Sequence, residues 1–289
     1  MAEPGPTRPD ASPGLPAARL VPESGRTSAL SSVTNAARLL KEFGHGRGEL
    51  GVSELARRLR LSKSSVHRLL ITLTAERLIE QDSETGAYRL GLLMYDLGVS
   101  VALHSEIHAA ALPILEQLRA LTKESVQVAV LDGREVVYVD RLESPHSLRT
   151  FGRIGHRISA HCTSTGKVLL AYLPEDVRAT LLTGWKLTPM TPYTITDPKA
   201  FRDELARVRL RGVAENVNEG EVGVASIGAP IRDARDRVIA AVSVVAPIVR
   251  LEGQSLRHLE PQIIQAAAAI SHRLGWRAEA GAAVRVKGA

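Results

Sequence analysis

The pattern of hydrophobic and polar positions first becomes regular near residue 31. The 29 residues of segment 1–29 include six prolines and follow neither a helical nor a strand period, which is typical of a disordered tail. Apolar residues then recur at helical spacing over about 32–43, which predicts a first helix. The residues expected on its buried side are Val33, Ala36, Ala37, Leu39 and Leu40.

Two further helices are predicted after a glycine-rich break. Ser53 has the residue type of an N-cap and precedes a short amphipathic segment. Ser62 is predicted to cap a longer helix that extends to Glu76 and has apolar residues three and four apart. Two short strands are predicted next, over 78–81 and 87–90, on either side of a turn-forming stretch.

The remainder of the chain alternates between helix and strand patterns. Segment 90–103 is predicted as a helix with an apolar stripe. That stripe comprises Leu93, Leu97 and Val101. Segment 105–276 is predicted as an α+β domain, in which Asp132-Gly133 marks a hairpin and 238–246 a central strand. A closing helix is predicted over about 252–276.

The second and third helices, with the tight turn between them, have the geometry of a helix–turn–helix motif. Segment 52–77 carries six basic residues against two acidic ones, and the two strands that follow it would form a wing. The alternative is a plain three-helix packing unit with solvated charges, but the strand pair favours the winged motif. The residues predicted to contact DNA are Ser53, Arg57, Arg58, Lys63, Ser64, Ser65, His67, Arg68 and Arg89.

Composition narrows the class of partner. The 289 residues carry a formal net charge of +6, which suits a polyanion, and only 3% are aromatic, which disfavours modules that stack single-stranded bases. Double-stranded DNA is therefore the expected nucleic acid. The single cysteine, Cys162, excludes an internal disulfide and a CxxC metal site, and is expected to be a small buried hydrophobe. No secretory signal or bilayer-length apolar run is visible, so a cytoplasmic protein without a membrane partner is predicted.

Motifs for catalysis are incomplete. Gly166-Lys167 lacks the upstream glycine and the following Ser or Thr of a P-loop. Ser226 lies in a GxxSxG spacing, whereas the nucleophile elbow requires GxSxG. His104 and His108 are one helical turn apart, but HSEIH is not the HExxH zinc motif. Neither a metal site nor a cofactor is predicted.

A site for a small anion can be argued from the residues alone. Ser164, Thr165 and Gly166 open a predicted helix, where free N–H groups and the helix dipole favour negative charge. Ser226 and Ser243 lie in otherwise apolar strands, where a hydroxyl needs a partner. The alternatives are a simple N-cap for Ser164 and backbone-bonded core residues for the two strand serines.

Four segments resemble one known family. GVSELARRLRLSKSSVHRLLITLTAERLIEQDSETGAYRLG is similar to the winged helix–turn–helix of IclR-type bacterial transcriptional regulators. HCTSTGKVLLAYLP, LRGVAENVNEGEVGVASIGAPIRD and VIAAVSVVAP resemble that family's effector-binding domain in order and spacing. The resemblance covers about residues 30–276. It implies an α+β protein in which an N-terminal winged helix–turn–helix is joined by a linker helix to a GAF-like effector-binding domain.

The resemblance also implies a function. Such a protein would bind an operator in double-stranded DNA as a homodimer or dimer of dimers, and repress or activate a metabolic operon in response to a small organic acid. The effector contacts it implies are Ser164, Thr165, Asn216, Val224, Ser226 and Ser243. Asn216 stands where the family commonly has an acidic residue, so the pocket is expected to repel an anion less. Val128 and Val130, together with Val224, are expected to line its apolar part.

These predictions divide the chain into successive segments. They are a tail (1–29), a winged helix–turn–helix domain (30–91), a linker helix (92–104), an effector-binding domain (105–276) and a second tail (277–289). The competing hypothesis is a small-molecule hydrolase or transferase built on the C-terminal domain. His161 and Ser226 are available for such chemistry, but no spacing orders them.

Overall fold

The computed structural model describes residues 30–44, 48–103, 106–150, 152–250 and 256–277, with the backbone alone for 99–103. The predicted N-terminal tail and His104 lie outside these residues, as does all but Arg277 of the predicted C-terminal tail. The described residues belong to two compact units that divide in sequence at residues 104 and 105.

The N-terminal unit places three helices before a short antiparallel hairpin and one helix after it. Its elements are α1 (Ser31–Glu42), α2 (Val52–Leu59), α3 (Lys63–Ala75), β1 (Ile79–Gln81), β2 (Tyr88–Leu90) and α4 (Leu92–Leu103). One apolar core joins α1, α2, α3 and the hairpin. Its buried members include Leu39, Leu55, Val66, Leu70, Ile79 and Tyr88.

Two details of the predicted helices are wrong. Val33 and Ala37 are exposed, because the part of α1 that packs into the core begins at Ala36 and continues through Leu39. Ser53 is not an N-cap: Gly51 takes that position with an extended backbone, so Ser53 lies in the first turn of α2 and points to solvent.

The C-terminal unit is an α+β domain with one six-stranded antiparallel sheet in its described part. Its elements are α5 (Glu106–Thr122), β3 (Ser125–Asp132), β4 (Glu135–Leu142), β5 (Arg157–Ser159), α6 (Ser164–Ala171), α7 (Glu175–Leu182), α8 (Pro198–Arg211), β6 (Ala214–Val217), β7 (Val224–Arg232), β8 (Val238–Pro247) and α9 (Glu260–Arg273). The strand order is β5-β4-β3-β8-β7-β6, so the hairpins β3–β4 and β7–β8 meet at the centre of the sheet.

Each face of this sheet packs against helices. Helices α5 and α9 cover one face, where Val126, Val242, Val244 and Ile227 contribute to the core. Helices α6, α7 and α8 cover the other face, where Ala241 contributes. Because the central strands contact helices on both sides, they carry apolar residues at nearly every position, as the sequence predicts.

The β3–β4 hairpin forms as predicted, and the closing helix forms with a later start than predicted. Gly133 adopts a φ of 61° in the β3–β4 turn, a left-handed conformation that glycine takes without strain. The closing helix α9 starts later than predicted, with Pro261 in its first turn, and a short 3-10 segment over 256–259 precedes it. Within the described ranges no helix is long and apolar enough to cross a membrane.

Candidate functional site

The turn between α2 and α3 is closed by local hydrogen bonds. Arg60 follows α2 with a left-handed φ of 57°, and the Leu61 N–H donates to the Ala56 carbonyl at 3.1 Å. Ser62 caps α3 by accepting a hydrogen bond from the Ser65 N–H at 3.1 Å. The predicted cap at Ser62 is therefore confirmed, and the two helices have the compact connection of a helix–turn–helix motif.

The start of α3 presents a polar surface to solvent. Val66 and Leu70 hold the opposite side of the helix in the core. The predicted DNA-reading side chains of this helix are all exposed, namely Lys63, Ser64, Ser65, His67 and Arg68. Neither Lys63 nor Arg68 forms an ion pair with any described residue, so their charges are available to an anionic partner.

The two arginines of α2 differ in their surroundings. Arg57 is exposed and makes no ion pair with the described residues. Arg58 instead contacts Glu54 at 2.5 Å and Glu42 at 3.5 Å, and the hydrogen bond with Glu54 raises its pKa. Of the two, Arg57 is therefore the better candidate for a phosphate contact.

The hairpin β1–β2 forms the predicted wing, and its charge is compensated. Arg89 pairs across the strands with Glu80 at 3.4 Å and lies 3.9 Å from both Glu49 and Asp82. Asp82 also closes the turn by accepting the Thr85 N–H at 2.8 Å. A phosphate contact by Arg89 would have to compete with three carboxylates.

In the C-terminal unit, the start of α6 packs closely onto other backbone because two positions lack side chains. A Cβ on Gly166 would come 2.1 Å from a backbone carbonyl oxygen, and one on Gly228 would come 3.4 Å from Ser164. Thr163 caps the helix by accepting the Gly166 N–H at 3.0 Å, so the N-cap alternative for Ser164 is wrong. The N–H groups of Ser164 and Thr165 have no acceptor within the helix.

Four hydroxyl groups lie at this end of α6 and on the strands beside it. Ser164 Oγ and Ser226 Oγ satisfy one another at 2.8 Å. Ser243 lies opposite Gly228 in the sheet. Its hydroxyl and that of Thr165 are fully enclosed, at 0% and 1% exposure, and neither has a hydrogen-bond partner among the described residues. An unpaired buried hydroxyl costs about 1–3 kcal/mol, so these two groups are the least satisfied part of the site.

Sequence reasoning missed a polar wall beside these hydroxyls, formed by Gln127, Tyr138 and Arg141. The β3–β4 register shifts so that Val128 faces Asp140 and Ala129 faces Tyr138. Val139 is therefore an extra residue, a β-bulge, which brings Tyr138 and Arg141 to the same face although they are three positions apart. No periodic pattern in the sequence signals this change of phase.

Hydrogen bonds orient the polar wall. The Arg141 guanidinium donates to Gln127 Oε1, to Glu143 Oε1 at 2.8 Å and to the Thr150 carbonyl at 2.8 Å. Since a guanidinium only donates, Oε1 of Gln127 must be the acceptor and its amide N–H groups point elsewhere. Burial raises the pKa of Tyr138. The nearby Thr165 and Arg141 act to lower this pKa, but their effect is smaller than that of burial.

The predicted apolar lining is wrong in part. Val128 and Val130 pack into the core on the α5 and α9 face, opposite the face that carries Ser226 and Ser243. Alternation along β3 places Gln127 on the α6 face instead. Val224 lies two residues before Ser226 on β7 and shares its face.

Asn216 is buried on the same face, but its side chain forms a local hydrogen bond with the backbone. Its Oδ1 accepts the Glu219 N–H at 2.9 Å, which shapes the turn after β6. The structure thus brings together Ser164, Thr165, Ser226 and Ser243, whereas the side-chain oxygen of Asn216 is already committed to the backbone.

Sequence reasoning also missed a buried ion cluster around Lys167. The side chain is 1% exposed, and its Nζ contacts Glu219 at 2.5 Å, Glu204 at 3.3 Å and the Glu215 carbonyl at 3.0 Å. Burial raises the pKa of Glu219, although Lys167 acts against it. Burial also acts to raise the pKa of Glu204, but the positive charges of Lys167 and Arg207 lower it by more, so this pKa lies below its usual value.

No nucleophile–base pair forms from the residues considered for hydrolysis. His161 Nδ1 contacts Ser159 Oγ at 2.8 Å and Nε2 contacts the Thr188 carbonyl at 3.0 Å, so both ring nitrogens are engaged away from Ser226. Burial lowers the pKa of His161 and raises that of the Cys162 thiol to about 11. Cys162 is buried, as predicted, and a thiol with a raised pKa is a poor nucleophile.

A winged helix–turn–helix with an exposed basic helix, in a chain that also carries an α+β domain, defines a class of transcriptional regulators. Residues 32–83 match the IclR helix-turn-helix domain, and residues 99–272 match the bacterial transcriptional regulator IclR C-terminal domain. The chain belongs to the IclR family. It is thus a transcriptional regulator and not an enzyme.

Individual relatives agree with this assignment. The chain is 34% identical over 249 residues to the HTH-type transcriptional regulator XynR of Escherichia coli (strain K12), covering 86% of this chain and 99% of that protein. It is 32% identical to KdgR of the same organism, covering 86% and 94%. A solved IclR homolog complexed with 4-hydroxybenzoate, from Microbacterium hydrocarbonoxydans, aligns with a TM-score of 0.75 and 29% identity over 84% of this chain and 99% of that one.

Proposed function

We propose that this regulator binds an operator in double-stranded DNA through α3 and that a small carboxylate bound in the C-terminal unit controls its affinity for DNA. The division into a winged helix–turn–helix domain (30–91), a linker helix (92–104) and an effector-binding domain (105–276) is part of the proposal. It regulates a metabolic operon in the cytoplasm.

The exposed start of α3 is the observation that carries the DNA part of the proposal. Lys63 and Arg68 have no counter-charge among the described residues, and Ser64, Ser65 and His67 add hydrogen-bonding groups beside them. Side chains of these types read base edges in the major groove, and the exposed Arg57 is proposed as a phosphate contact. Ser53, Arg58 and Arg89 are proposed as peripheral contacts; carboxylates already engage the two arginines.

The effector part of the proposal rests on the start of α6. Two backbone N–H groups and the unpaired Thr165 hydroxyl lie at the start of α6, and the unpaired Ser243 hydroxyl and the bonded pair Ser164–Ser226 lie where this helix packs on β7 and β8. Donors of this kind suit the oxygens of a carboxylate. Gly166 allows the close packing, and Val224 and Asn216 are proposed at the edge of the site. The family member complexed with 4-hydroxybenzoate supports an organic acid as the ligand.

We also propose that α4 pairs with its copy in a second subunit. Leu92, Tyr95 and Leu97 are exposed on this helix, and an apolar surface of this kind favours a protein partner over water. Of the predicted stripe, Leu97 is exposed, Leu93 is half-buried and the side chain of Val101 lies outside the described residues. A two-fold homodimer, alone or within a dimer of dimers, would present two copies of α3 to a palindromic operator.

A binding assay tests the DNA part directly. Fluorescence anisotropy with the DNA upstream of the gene and of its neighbours should detect a site bound at nanomolar concentration and in preference to competitor DNA. The double variant Lys63→Ala, Arg68→Ala should lose this preference. Arg235→Ala removes an exposed arginine from the C-terminal unit and serves as the matched control. Equal binding by the double variant and the wild type would contradict the proposal.

A further inference from the structure

We infer that Ile71, on the exposed face of α3, contacts the C5-methyl group of a thymine in the major groove and so specifies one base pair of the operator. This role rests on the proposed function, because it requires that α3 lies in that groove. Ile71 is not among the residues that the sequence predicts to contact DNA, since those were chosen for their polar or basic side chains.

Ile71 lies at the centre of the exposed face of α3. Ser64, Arg68 and Ile71 follow one another one helical turn apart, and all three are exposed. Val66 and Leu70 lie on the opposite side of the helix, in the core. A helix that turns Ser64 and Arg68 towards base edges therefore turns Ile71 into the same groove.

Packing within the N-terminal unit does not explain an isoleucine at this position. Ile71 is 55% exposed and does not belong to the apolar core that joins α1, α2, α3 and the hairpin. All other leucine and valine side chains of α2 and α3 are buried or half-buried. Single exposed apolar residues are common on protein surfaces, so it is the place of Ile71 between DNA-reading positions that indicates a role.

The chemistry of the major groove limits what an isoleucine can read there. The C5-methyl group of thymine is the apolar group that base pairs present in this groove, and cytosine has only a hydrogen at the same position. Thr72, beside Ile71, donates its hydroxyl to the Arg68 carbonyl at 3.0 Å and so does not offer that donor to a base. An apolar contact with thymine is therefore the recognition that this part of α3 favours.

The spacing along α3 also places the thymine relative to the base pair that Arg68 reads. Ile71 is about 4.5 Å further along the helix axis than Arg68. Successive base pairs are separated by about 3.4 Å. The thymine should therefore lie about one or two base pairs from the one that Arg68 contacts.

Selection of binding sequences from a random duplex library tests this role with the full-length protein. The wild-type consensus should contain a thymine that Ile71→Ala no longer selects, while its other positions remain the same. Deoxyuridine at that thymine removes only the methyl group. In anisotropy titrations it should weaken wild-type binding about fourfold, as expected for the loss of one buried methyl group. Ile71→Ala should bind both duplexes equally, whereas Ile71→Val, which keeps a branched side chain, should retain most of the difference.

Matched controls separate this contact from folding and assembly. Leu210→Ala removes an exposed leucine from the C-terminal unit and should respond to deoxyuridine as the wild type does. Three results would overturn the role of Ile71: no consensus thymine at which deoxyuridine weakens wild-type binding, the same loss at every such thymine in Ile71→Ala, or a changed mass of Ile71→Ala in light scattering, which would assign the side chain to a subunit contact. A wild type that enriches no sequence would refute the proposed function itself, and the role of Ile71 with it.

Discussion

Replacing the buried Lys167 with methionine should strongly destabilise the C-terminal unit. The methionine fills much of the same volume but leaves Glu219, 2.5 Å from the original Nζ, as a buried carboxylate without its cation. Glu204 keeps Arg207 at 2.7 Å, so Glu219 is the group most affected. Breaking a buried ion pair by removing one partner costs about 3–5 kcal/mol, and the 1% exposure of Lys167 places it in that range.

The loss of stability in Lys167→Met should depend on pH, and the raised pKa of Glu219 gives the direction of that dependence. Burial raises the pKa of Glu219 in the folded protein, so its contribution to stability is complete below its ordinary pKa and is lost as the pH rises through the raised value. Loss of Lys167 should raise that pKa further. The deficit of Lys167→Met should therefore be largest at neutral pH and should shrink as the pH falls and Glu219 takes up a proton.

Urea unfolding followed by tryptophan fluorescence measures the effect in the relevant unit. The only tryptophans, Trp185 and Trp276, both belong to the C-terminal half of the chain, so the signal reports on this unit. Lys199→Met is the matched control, because Lys199 is 79% exposed and its pair with Asp203 contributes little. The double variant Lys167→Met, Glu219→Gln should recover much of the loss. A deficit below about 1 kcal/mol at pH 7, or one that grows towards pH 5, would refute the reasoning.

The remaining predictions concern DNA binding, assembly and packing. Arg68→Ala should weaken operator binding by about 1–3 kcal/mol in anisotropy titrations if it reads a base edge, and an unchanged affinity would remove it from the interface. Arg57→Ala should reduce the slope of log affinity against log salt by about 1, whereas Arg58→Ala, already paired with carboxylates, should change it less. Leu97→Asp on α4 should give a monomeric mass in light scattering at micromolar concentration, while Leu210→Asp, also at an exposed leucine, should not; a dimeric Leu97→Asp would place the subunit contact elsewhere. Gly166→Ala should lower the thermal midpoint, because its Cβ would lie 2.1 Å from a backbone oxygen that has to move, and an unchanged midpoint would show that α6 shifts at no cost.

Periodicity and capping predicted the helix–turn–helix well because both are local. Ser62 accepts its N–H bond from within one turn, and the apolar spacing of α3 places Val66 and Leu70 in the core directly. Ser53 failed as a cap because α2 begins two residues earlier than predicted, with Gly51 in the extended N-cap conformation. Residue type alone does not distinguish these two starting points.

The site on the sheet depended on contacts that are distant in sequence. Strand β3 is apolar on both faces, so its pattern did not show that Val128 faces α5 and α9 while Gln127 faces α6. The bulge at Val139 interrupts the alternation of side chains along β4. A strict two-residue alternation would therefore place Arg141 on the face opposite to Tyr138, whereas both lie on the same face. Lys167 lies inside an eight-residue helix that is buried throughout. From the sequence alone, a single lysine in a helix is expected to be exposed to solvent, and only its carboxylate partners in the fold explain its burial.

Helix α6 joins the candidate effector site to the buried ion cluster. Thr165 and Lys167 are two residues apart on the same helical turn. Lys167 is anchored by its hydrogen bond to Glu219, and a ligand that hydrogen-bonds the Thr165 hydroxyl would therefore bind to the same helix that Glu219 fixes. Pairing the hydroxyls of Thr165 and Ser243 could contribute roughly 1–3 kcal/mol each. A ligand can shift a conformational equilibrium only by its difference in affinity for the two states, so these two groups set the scale of regulation available to the site. On this argument Lys167→Met, Glu219→Gln should alter the response to effector more than it alters operator binding without effector, and titration of operator DNA with and without the acid measures both.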